Sequence, residues 1–188
     1  MTCPSILSPL RPCLFAVPLA IALALAAQPA AAQQAAAATP APAAQAAMAD
    51  AQGKPLGTVT FTKFAHGVLV HGQLEGLTPG WHGLHIHENG ACTPDFRAAG
   101  GHFSAAGSKH GLEAEHIHYG ELPNIWVTET GKVGFEAITH MVTLGDGADG
   151  LFKTGGTSIV VHAQPDDYLS QPAGNSGDRV GCGVIARN

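Results

Sequence analysis

Two copies of the tripeptide His-Ile-His, at residues 85–87 and 116–118, contain side chains suited to hold a metal ion. Side chains alternate across a β-strand, so His85 and His87 would emerge on one face of a strand and form a two-nitrogen chelate. A strand can also carry two solvent-exposed histidines without a metal, so the tripeptide alone is a weak signal. Whether the tripeptide binds a metal depends on which other ligands the fold brings close to it.

Three histidines and an acid follow one another at regular intervals. His102, His110 and His118 are spaced by eight residues, and Glu121 comes three residues after the last of them. Three imidazoles and one carboxylate complete the four-ligand set of a structural zinc site. In the second tripeptide we expect only His118 to bind, because it keeps the three-residue gap to Glu121. His116 is the alternative ligand.

One further histidine can join the first tripeptide. His162 ends a β-branched run, Ile159–Val161, at the start of a long glycine-rich segment. It would add a third imidazole to His85 and His87. Sites made only of imidazole suit copper and zinc, and copper binds them more tightly.

The N-terminal part of the chain differs in composition from the rest. Residues 1–32 contain one basic residue, an apolar run (Leu14–Ala26) and small residues at 30–32, which is the pattern of a cleaved secretory signal peptide. An uncleaved anchor is the less favoured alternative, because the apolar run is short for a membrane span. Residues 33–50 are almost wholly Ala, Gln and Pro and predict a mobile tether. The folded domain is therefore predicted over residues 51–188, with no membrane segment after cleavage.

The cysteines indicate the redox state of the compartment in which the protein works, and the charge of the chain indicates which partners it can bind. Cleavage would remove two of the four cysteines and leave Cys92 and Cys182, which an oxidising compartment favours as a disulfide. Closing this loop would stabilise the fold by about 4 kcal/mol on the loop-entropy model. Without Arg11, eight basic and fourteen acidic side chains remain, a net charge of −6 with neutral histidines. The sequence has no basic cluster, so no nucleic-acid partner is expected.

Short strands, with glycine and proline between them, organise the domain. They are predicted at residues 57–62, 67–74, 84–87, 125–128, 132–137, 158–162 and 180–185. This pattern without an amphipathic helix is typical of an all-β domain, either a β-sandwich or a small barrel. Residues 88–123 and 164–179 are too long for turns and are predicted to be functional loops.

Four segments, taken in order, form a specific pattern. They are Gly80–Glu88, Cys92–Phe103, Val160–Tyr168 and Gly174–Ile185. Together they resemble the secreted bacterial copper/zinc superoxide dismutases. The resemblance implies a Greek-key β-sandwich, or flattened eight-stranded barrel, with two long functional loops. It also implies an enzyme that converts superoxide to oxygen and hydrogen peroxide by one-electron cycling of copper, while zinc organises a bridging histidine.

The same resemblance implies a role for each candidate residue. The implied copper ligands are His85, His87, His102 and His162. The implied zinc ligands are His102, His110, His118 and Glu121, with His102 bridging the two metals. Arg179 would guide the anionic substrate, and His102 would take up a proton during the reaction. Asp166 would link a copper ligand to a zinc ligand, and Cys92 and Cys182 match the disulfide pair.

Glu121 departs from the family, which has aspartate as the fourth zinc ligand. The sequence alone leaves open whether the longer side chain closes a working zinc site. Two alternatives therefore remain: an exported protein that sequesters copper or zinc on the same fold, and a copper-only dismutase with a weakened zinc site. The signal peptide predicts a periplasmic or secreted protein, and the sequence leaves open whether the domain is a monomer or a homodimer.

Overall fold

The computed structural model describes residues 40–188, and the predicted signal peptide, residues 1–32, lies outside them. The described residues form ten strands and one short 3-10 helix, η1 (Phe96–Ala99). The strands are β1 (Ala44–Ala49), β2 (Pro55–Phe64), β3 (Gly67–Glu75), β4 (Gly80–His82), β5 (Leu84–His87), β6 (Ile125–Val127), β7 (Lys132–Thr139), β8 (Ser158–His162), β9 (Arg179–Val184) and β10 (Ala186–Arg187). No helix within residues 40–188 has the length and apolar character needed to cross a membrane.

Eight of these strands form one curled antiparallel sheet. Its order is β5-β8-β9-β1-β2-β3-β7, and β10 pairs with β1 beside this path. Strands β4 and β6 form a separate two-stranded sheet. All strand pairs are antiparallel. The predicted all-β fold is confirmed, and each of the seven predicted strands overlaps an observed one.

Strand β1 corrects the predicted domain boundary. The sequence assigns residues 33–50 to a tether, but Ala44–Ala49 pair with β2 on one side and with β9 and β10 on the other. Alternate residues of β1 are buried in the core. Small side chains suit this position, because a Cβ atom added at Gly183 of β9 would lie only 3.1 Å from the Cβ of Ala46. The tether prediction is therefore wrong for residues 44–49, which belong to the folded domain.

The strands differ in how many of their faces are buried. In β3 buried and exposed residues alternate, as expected of a strand with one face towards the core and one towards solvent. Every residue of β5 and β8 is buried. Core side chains such as Phe61, Ile86 and Ile159 cover one face of the sheet. The second face of β5 and β8 is covered by the two long loops, and the candidate site lies between this face and the loops.

Candidate metal centre

Strand β5 carries the first His-Ile-His tripeptide. Ile86 packs into the apolar core, while His85 and His87 point to the opposite face and are completely buried. The alternation of a β-strand puts both imidazoles on this face. The strand pairs with β8 in a register that sets His85 opposite Val160. Both rings therefore stand on a rigid part of the sheet.

The other edge of β5 is lined by two pieces of the first long loop. The Ile86 carbonyl accepts a hydrogen bond from the Phe103 amide, and the Ile86 amide donates to the Gly120 carbonyl. Glycine is needed at position 120, because an added Cβ atom would lie 2.1 Å from the Ile86 carbonyl oxygen. These contacts place His102 and Glu121, the neighbours of Phe103 and Gly120 in the chain, beside the strand.

Four histidines bring one ring nitrogen each to a common point. We call this group the four-histidine cluster, and its members are His85, His87, His102 and His162. The four candidate ligand atoms all lie within 4.8 Å of one another. The Nε2 atoms of His87 and His162 are 3.3 Å apart, and the rings of His85 and His102 stack with their centroids 3.9 Å apart. The structure thus brings together the four residues predicted as copper ligands.

The outer ring nitrogens of this cluster fix which nitrogen faces inward. His87 Nδ1 donates to the carbonyl of Gly100 at 3.1 Å, and His162 Nδ1 donates to the carbonyl of Gly177 at 3.3 Å. A carbonyl oxygen only accepts, so the proton of each neutral ring lies on Nδ1 and the lone pair on Nε2. The two lone pairs therefore point at the centre of the cluster, as metal ligation requires.

Two nitrogens of the cluster are buried without a hydrogen-bond partner. They are His85 Nδ1 and His102 Nε2. His85 donates through its other nitrogen, Nε2, to Asp166 at 2.7 Å, which leaves a lone pair on Nδ1. Leaving a buried polar atom unsatisfied costs about 1–3 kcal/mol. A metal ion at the centre of the cluster would satisfy both atoms, and a set of four imidazoles fits copper.

Three imidazoles of the cluster, those of His87, His102 and His162, are held in their neutral form. Burial is the main cause that lowers the pKa of His102 to about 4 and the pKa of His162 to about 3. A hydrogen bond with Glu121 partly opposes this effect at His102. Burial, followed by repulsion from His102, also lowers the pKa of His87 well below its ordinary value. Neutral imidazole is the form that binds metals, so protons do not compete for these nitrogens near neutral pH.

A second group surrounds one oxygen of Glu121. We call it the histidine–glutamate cluster, and its members are His102, His110, His118 and Glu121. Glu121 Oε1 lies 3.1, 2.9 and 2.8 Å from the Nδ1 atoms of His102, His110 and His118. Ligands at zinc–nitrogen distances of 2.0–2.1 Å in a tetrahedron are about 3.3 Å apart. The three distances from Glu121 Oε1 are slightly shorter than this spacing, so this oxygen needs only a small outward shift for a zinc ion to fit between it and the three nitrogens.

The charge of Glu121 suits the same role. Burial alone would raise the pKa of this carboxyl group, but hydrogen bonds with His102 and His118 outweigh burial. The pKa of Glu121 consequently lies well below its ordinary value, and the side chain is a carboxylate. The extra methylene, compared with aspartate, does not remove the carboxylate from the three imidazoles.

His102 and Asp166 connect the two clusters. His102 belongs to both, with Nε2 facing the four-histidine cluster and Nδ1 facing Glu121. Asp166 accepts from His85 Nε2 at Oδ2 and from His110 Nε2, at 2.9 Å, at Oδ1. Its side chain is completely buried. One carboxylate therefore orients a ring of each cluster, in the way that carboxylates fix the ring orientation of metal-bound histidines.

Two residues that hold Asp166 were not predicted from the sequence. Asn124 accepts from the Asp166 amide through Oδ1 and donates to the Asp166 carbonyl through Nδ2, both at 2.8 Å. At Gly174, which has a φ of 63°, an added Cβ atom would lie 1.8 Å from Asp166 Oδ1. No ligand spacing marks Asn124 or Gly174, since their role depends on how the two loops meet.

Arg179 lies next to the four-histidine cluster. Its Nη1 and Nη2 atoms donate to the carbonyls of Phe96 and Gly100. The Gly100 carbonyl also accepts from His87, so the arginine and a histidine of the cluster share an acceptor. A guanidinium group has five N–H donors, and those not used here remain for an anion. Arg179 lines a recess of about 400 Å³.

The predicted disulfide between Cys92 and Cys182 is confirmed, with a Cα–Cα distance of 5.9 Å. Cys182 lies on β9, three residues after Arg179, and Cys92 lies in the first long loop ahead of Phe96. The disulfide thus joins the strand that carries the guanidinium group to the loop that supplies its acceptors. It therefore holds together the strand and the loop that position Arg179.

The remaining histidines of this region lie outside both clusters. His116 is exposed, although it is the first residue of the second tripeptide. His82 is buried, with Nδ1 at 2.6 Å from the carbonyl of His162 and Nε2 at 2.8 Å from the carbonyl of Thr78. His82 therefore ties the end of β8 to β4 and supports the position of His162.

Comparisons with known proteins agree with this geometry. Residues 56–185 match the family described as copper/zinc superoxide dismutase. A superoxide dismutase (Cu-Zn) of Caulobacter vibrioides is 48% identical over 138 residues, which cover 71% of this chain and 79% of that protein. Superoxide dismutase (Cu-Zn) 2 of Aquifex aeolicus is 42% identical over 142 residues, which cover 73% of this chain and 83% of that protein.

Solved structures give the same result. The Cu/Zn superoxide dismutase from Brucella abortus has a TM-score of 0.64 and 31% identity, over 76% of this chain and 98% of that one. A superoxide dismutase-like protein from Bacillus subtilis has a TM-score of 0.70 and 33% identity, over 74% and 96% of the two chains. The chain belongs to the copper/zinc superoxide dismutase family. It is a superoxide dismutase, with copper and zinc as its cofactors.

Proposed function

We propose that the four-histidine cluster holds the copper at which superoxide is dismuted and that the histidine–glutamate cluster holds the zinc. The observation that carries the first assignment is the pair of buried, unpartnered nitrogens, His85 Nδ1 and His102 Nε2. The second rests on Glu121 Oε1, which lies within 3.1 Å of three imidazole nitrogens. Both sets match the ligand types that the two metals prefer.

The chemistry divides between the metals and the residues around them. Copper, when bound, supplies a one-electron redox couple that oxidises one superoxide to oxygen and reduces a second one to peroxide, whereas zinc has no redox chemistry. His102 would take up a proton at Nε2, the nitrogen that faces the four-histidine cluster, only during the reaction, while its Nδ1 stays with the histidine–glutamate cluster. Asp166 keeps the rings of His85 and His110 in place throughout.

Arg179 binds and orients the anionic substrate. Its guanidinium group carries a permanent positive charge and planar donors that suit a small anion. The chain carries a net negative charge, which opposes the approach of superoxide at long range. The local field of Arg179 at the recess offsets this repulsion and places the substrate beside the cluster.

Glu121 is the fourth zinc ligand in this proposal, at the position where the family has aspartate. Its carboxylate already meets the three imidazoles, which supports a dismutase with both metals over a copper-only enzyme. Arg179 supports catalysis over sequestration, because storage of a metal needs no cation beside the copper ligands.

We further propose that the protein is exported to the periplasm. The Cys92–Cys182 disulfide is typical of proteins in oxidising compartments. The signal-like pattern of residues 1–32 supports the same compartment. Fractionation of the producing cells and N-terminal sequencing of the mature protein test this proposal. A cytoplasmic protein that retains Met1 would contradict it.

Metal analysis combined with a dismutase assay tests the proposed sites. We expect one copper and one zinc per chain, together with fast turnover, because the four-histidine cluster and the histidine–glutamate cluster have the ligand types that these two metals prefer. Copper with activity but without zinc would contradict the assignment of Glu121. Both metals without activity would indicate sequestration.

A further inference from the structure

The two clusters differ in how their ligands meet the solvent. In the histidine–glutamate cluster the side chains of His118 and Glu121 keep 12% and 13% of their surface exposed. The side chains of His110 and His85 have no exposed surface, and His102 keeps 2%. Exposure of the zinc residues is therefore confined to the side where His118 and Glu121 lie.

A recess of about 320 Å³ opens at Glu121. Its lining consists of Gly111, Leu112, Ile117, Leu122, Pro123 and Tyr168 together with Glu121 itself. The recess shares no lining residue with the 400 Å³ recess beside Arg179. The geometry points to two separate metal routes: zinc enters and leaves through the recess at Glu121, independently of the copper side. This inference rests on the zinc assignment proposed above.

The recess lies at the seam between the two long loops. The amide of Leu112, in the first loop, donates to the carbonyl of Tyr168, in the second, at 2.9 Å. The hydroxyl group of Tyr168 in turn accepts a hydrogen bond from the backbone amide of Asn124 at 2.8 Å, which holds the side chain in place. These bonds give the recess a fixed wall beside Glu121. Leu112 lies at its rim with 71% of its surface exposed.

The walls favour transfer of an ion to the zinc residues. Apart from Glu121, the recess is lined by apolar side chains, a glycine and a tyrosine, which are poor ligands for zinc. Glu121 is thus the first residue with a strong zinc ligand that an entering cation meets. From Glu121 Oε1 the Nδ1 atoms of His110 and His118 are 2.9 and 2.8 Å away, so the remaining ligands replace water without a long displacement.

A neighbouring recess of about 460 Å³ is the competing route. It is lined by the polar residues Glu113, Glu115 and His116 and also reaches His110. The His110 side chain, however, has no exposed surface. No ligand atom of the zinc cluster is therefore presented to this second recess, and the geometry favours the route at Glu121.

Zinc release from the copper- and zinc-loaded full chain into excess chromogenic chelator tests the inference. Leu112→Trp fills the rim of the recess and should slow zinc release about fivefold, the factor that a barrier change of about 1 kcal/mol produces. Ile117→Ala widens the recess and should speed release. Ala51→Trp, which crowds the recess beside Arg179, is the matched control and should leave zinc release unchanged.

The outcomes separate this inference from the proposed function. A wild-type chain that holds no zinc overturns both. A chain that holds zinc but releases it at the same rate in Leu112→Trp and in wild type overturns only the route. Slower release in Ala114→Trp, which crowds the competing recess, with no change in Leu112→Trp would also overturn it. Melting temperature and copper content check that the variants fold, and a failure of Leu112→Trp to fold leaves the Ile117→Ala rate as the deciding measurement.

Discussion

The two His-Ile-His tripeptides have identical residues and different structures. In the first, the pleat of β5 keeps both imidazoles on one face, and both join the four-histidine cluster. In the second, the central residue Ile117 forms an isolated parallel β-bridge with Lys109, whose backbone amide donates to the His116 carbonyl and whose carbonyl accepts from the His118 amide. His118 then faces Glu121 while His116 faces solvent. The surroundings of each histidine, rather than its residue type, decide how many ligands a tripeptide provides.

The two tripeptides also differ in how firmly the surrounding structure holds them. The first tripeptide lies on a strand bonded along both edges and is completely buried. The second lies in a loop, next to a recess, and the side chain of His118 keeps some exposed surface. We expect the copper side to behave as a rigid, preformed site and the zinc side to exchange its metal more readily.

The largest effect should come from removing a ligand on β5. We expect His87→Ala to lose copper and to lower dismutase activity by more than about 100-fold, beyond the effect typical of residues that only support a ligand. Copper content and stopped-flow decay of superoxide measure this. His71→Ala, which removes a partly exposed histidine bonded to Glu136, is the control. Retention of copper in His87→Ala would break the assignment of the first tripeptide.

Asp166→Asn should weaken both sites at once. The carboxylate accepts from a ring in each cluster, and an amide presents only one accepting oxygen. Affinity for copper and for zinc should each fall about 10–100-fold, as measured by chelator competition. Asp167→Asn, one residue further on and exposed, should leave both affinities near wild type. Loss of only one metal would show that the two clusters are less coupled than the structure indicates.

Arg179→Ala should lower the rate of superoxide dismutation and leave the copper and zinc contents unchanged. We expect a drop of about tenfold in the rate constant, equivalent to about 1.4 kcal/mol of barrier, because the substrate loses its cation. The salt dependence of the rate should weaken at the same time, since it reports attraction of the anion. Arg187→Ala removes an arginine paired with Asp146 and serves as the control. An unchanged rate with unchanged salt dependence would remove Arg179 from the mechanism.

The smallest effect should be that of mildly acidic pH on the copper affinity of the four-histidine cluster. The pKa values of His102 and His162 are lowered to about 4 and about 3, so both rings stay neutral until the pH falls towards those values. Between pH 7.5 and 5.5, copper affinity should fall by less than about tenfold. Each imidazole with an ordinary pKa would lower the copper affinity about tenfold over this pH range. A loss of 100-fold or more at pH 5.5, in chelator-competition titrations, would contradict the neutral, buried cluster.

The fold could be predicted from the sequence because most strands carry β-branched or alternating apolar residues. Strand β1 was missed because its sequence, AQAAMA, contains no residue that favours strands. Its alanines are explained only by the neighbouring chain, since the strand beside it leaves little room at Ala46. The tether boundary failed for the same reason.

At the site, ligand types and spacing identified the side chains that the structure brings together. Residue types and spacing could not predict the contacts that orient these side chains. The carbonyls of Gly100 and Gly177 fix the rings of His87 and His162, yet every residue has a carbonyl and none is marked in a sequence. Asn124 likewise meets Asp166 only because the two loops fold against each other.

The central claim is that the second tripeptide provides one zinc ligand and that Glu121 completes the site. Zinc content and zinc affinity of His116→Ala and His118→Ala, measured side by side on the purified copper-loaded chain, test it most directly. We expect His116→Ala to keep one zinc per chain at near wild-type affinity and His118→Ala to lose its zinc. Zinc retained in His118→Ala and lost in His116→Ala would contradict the account.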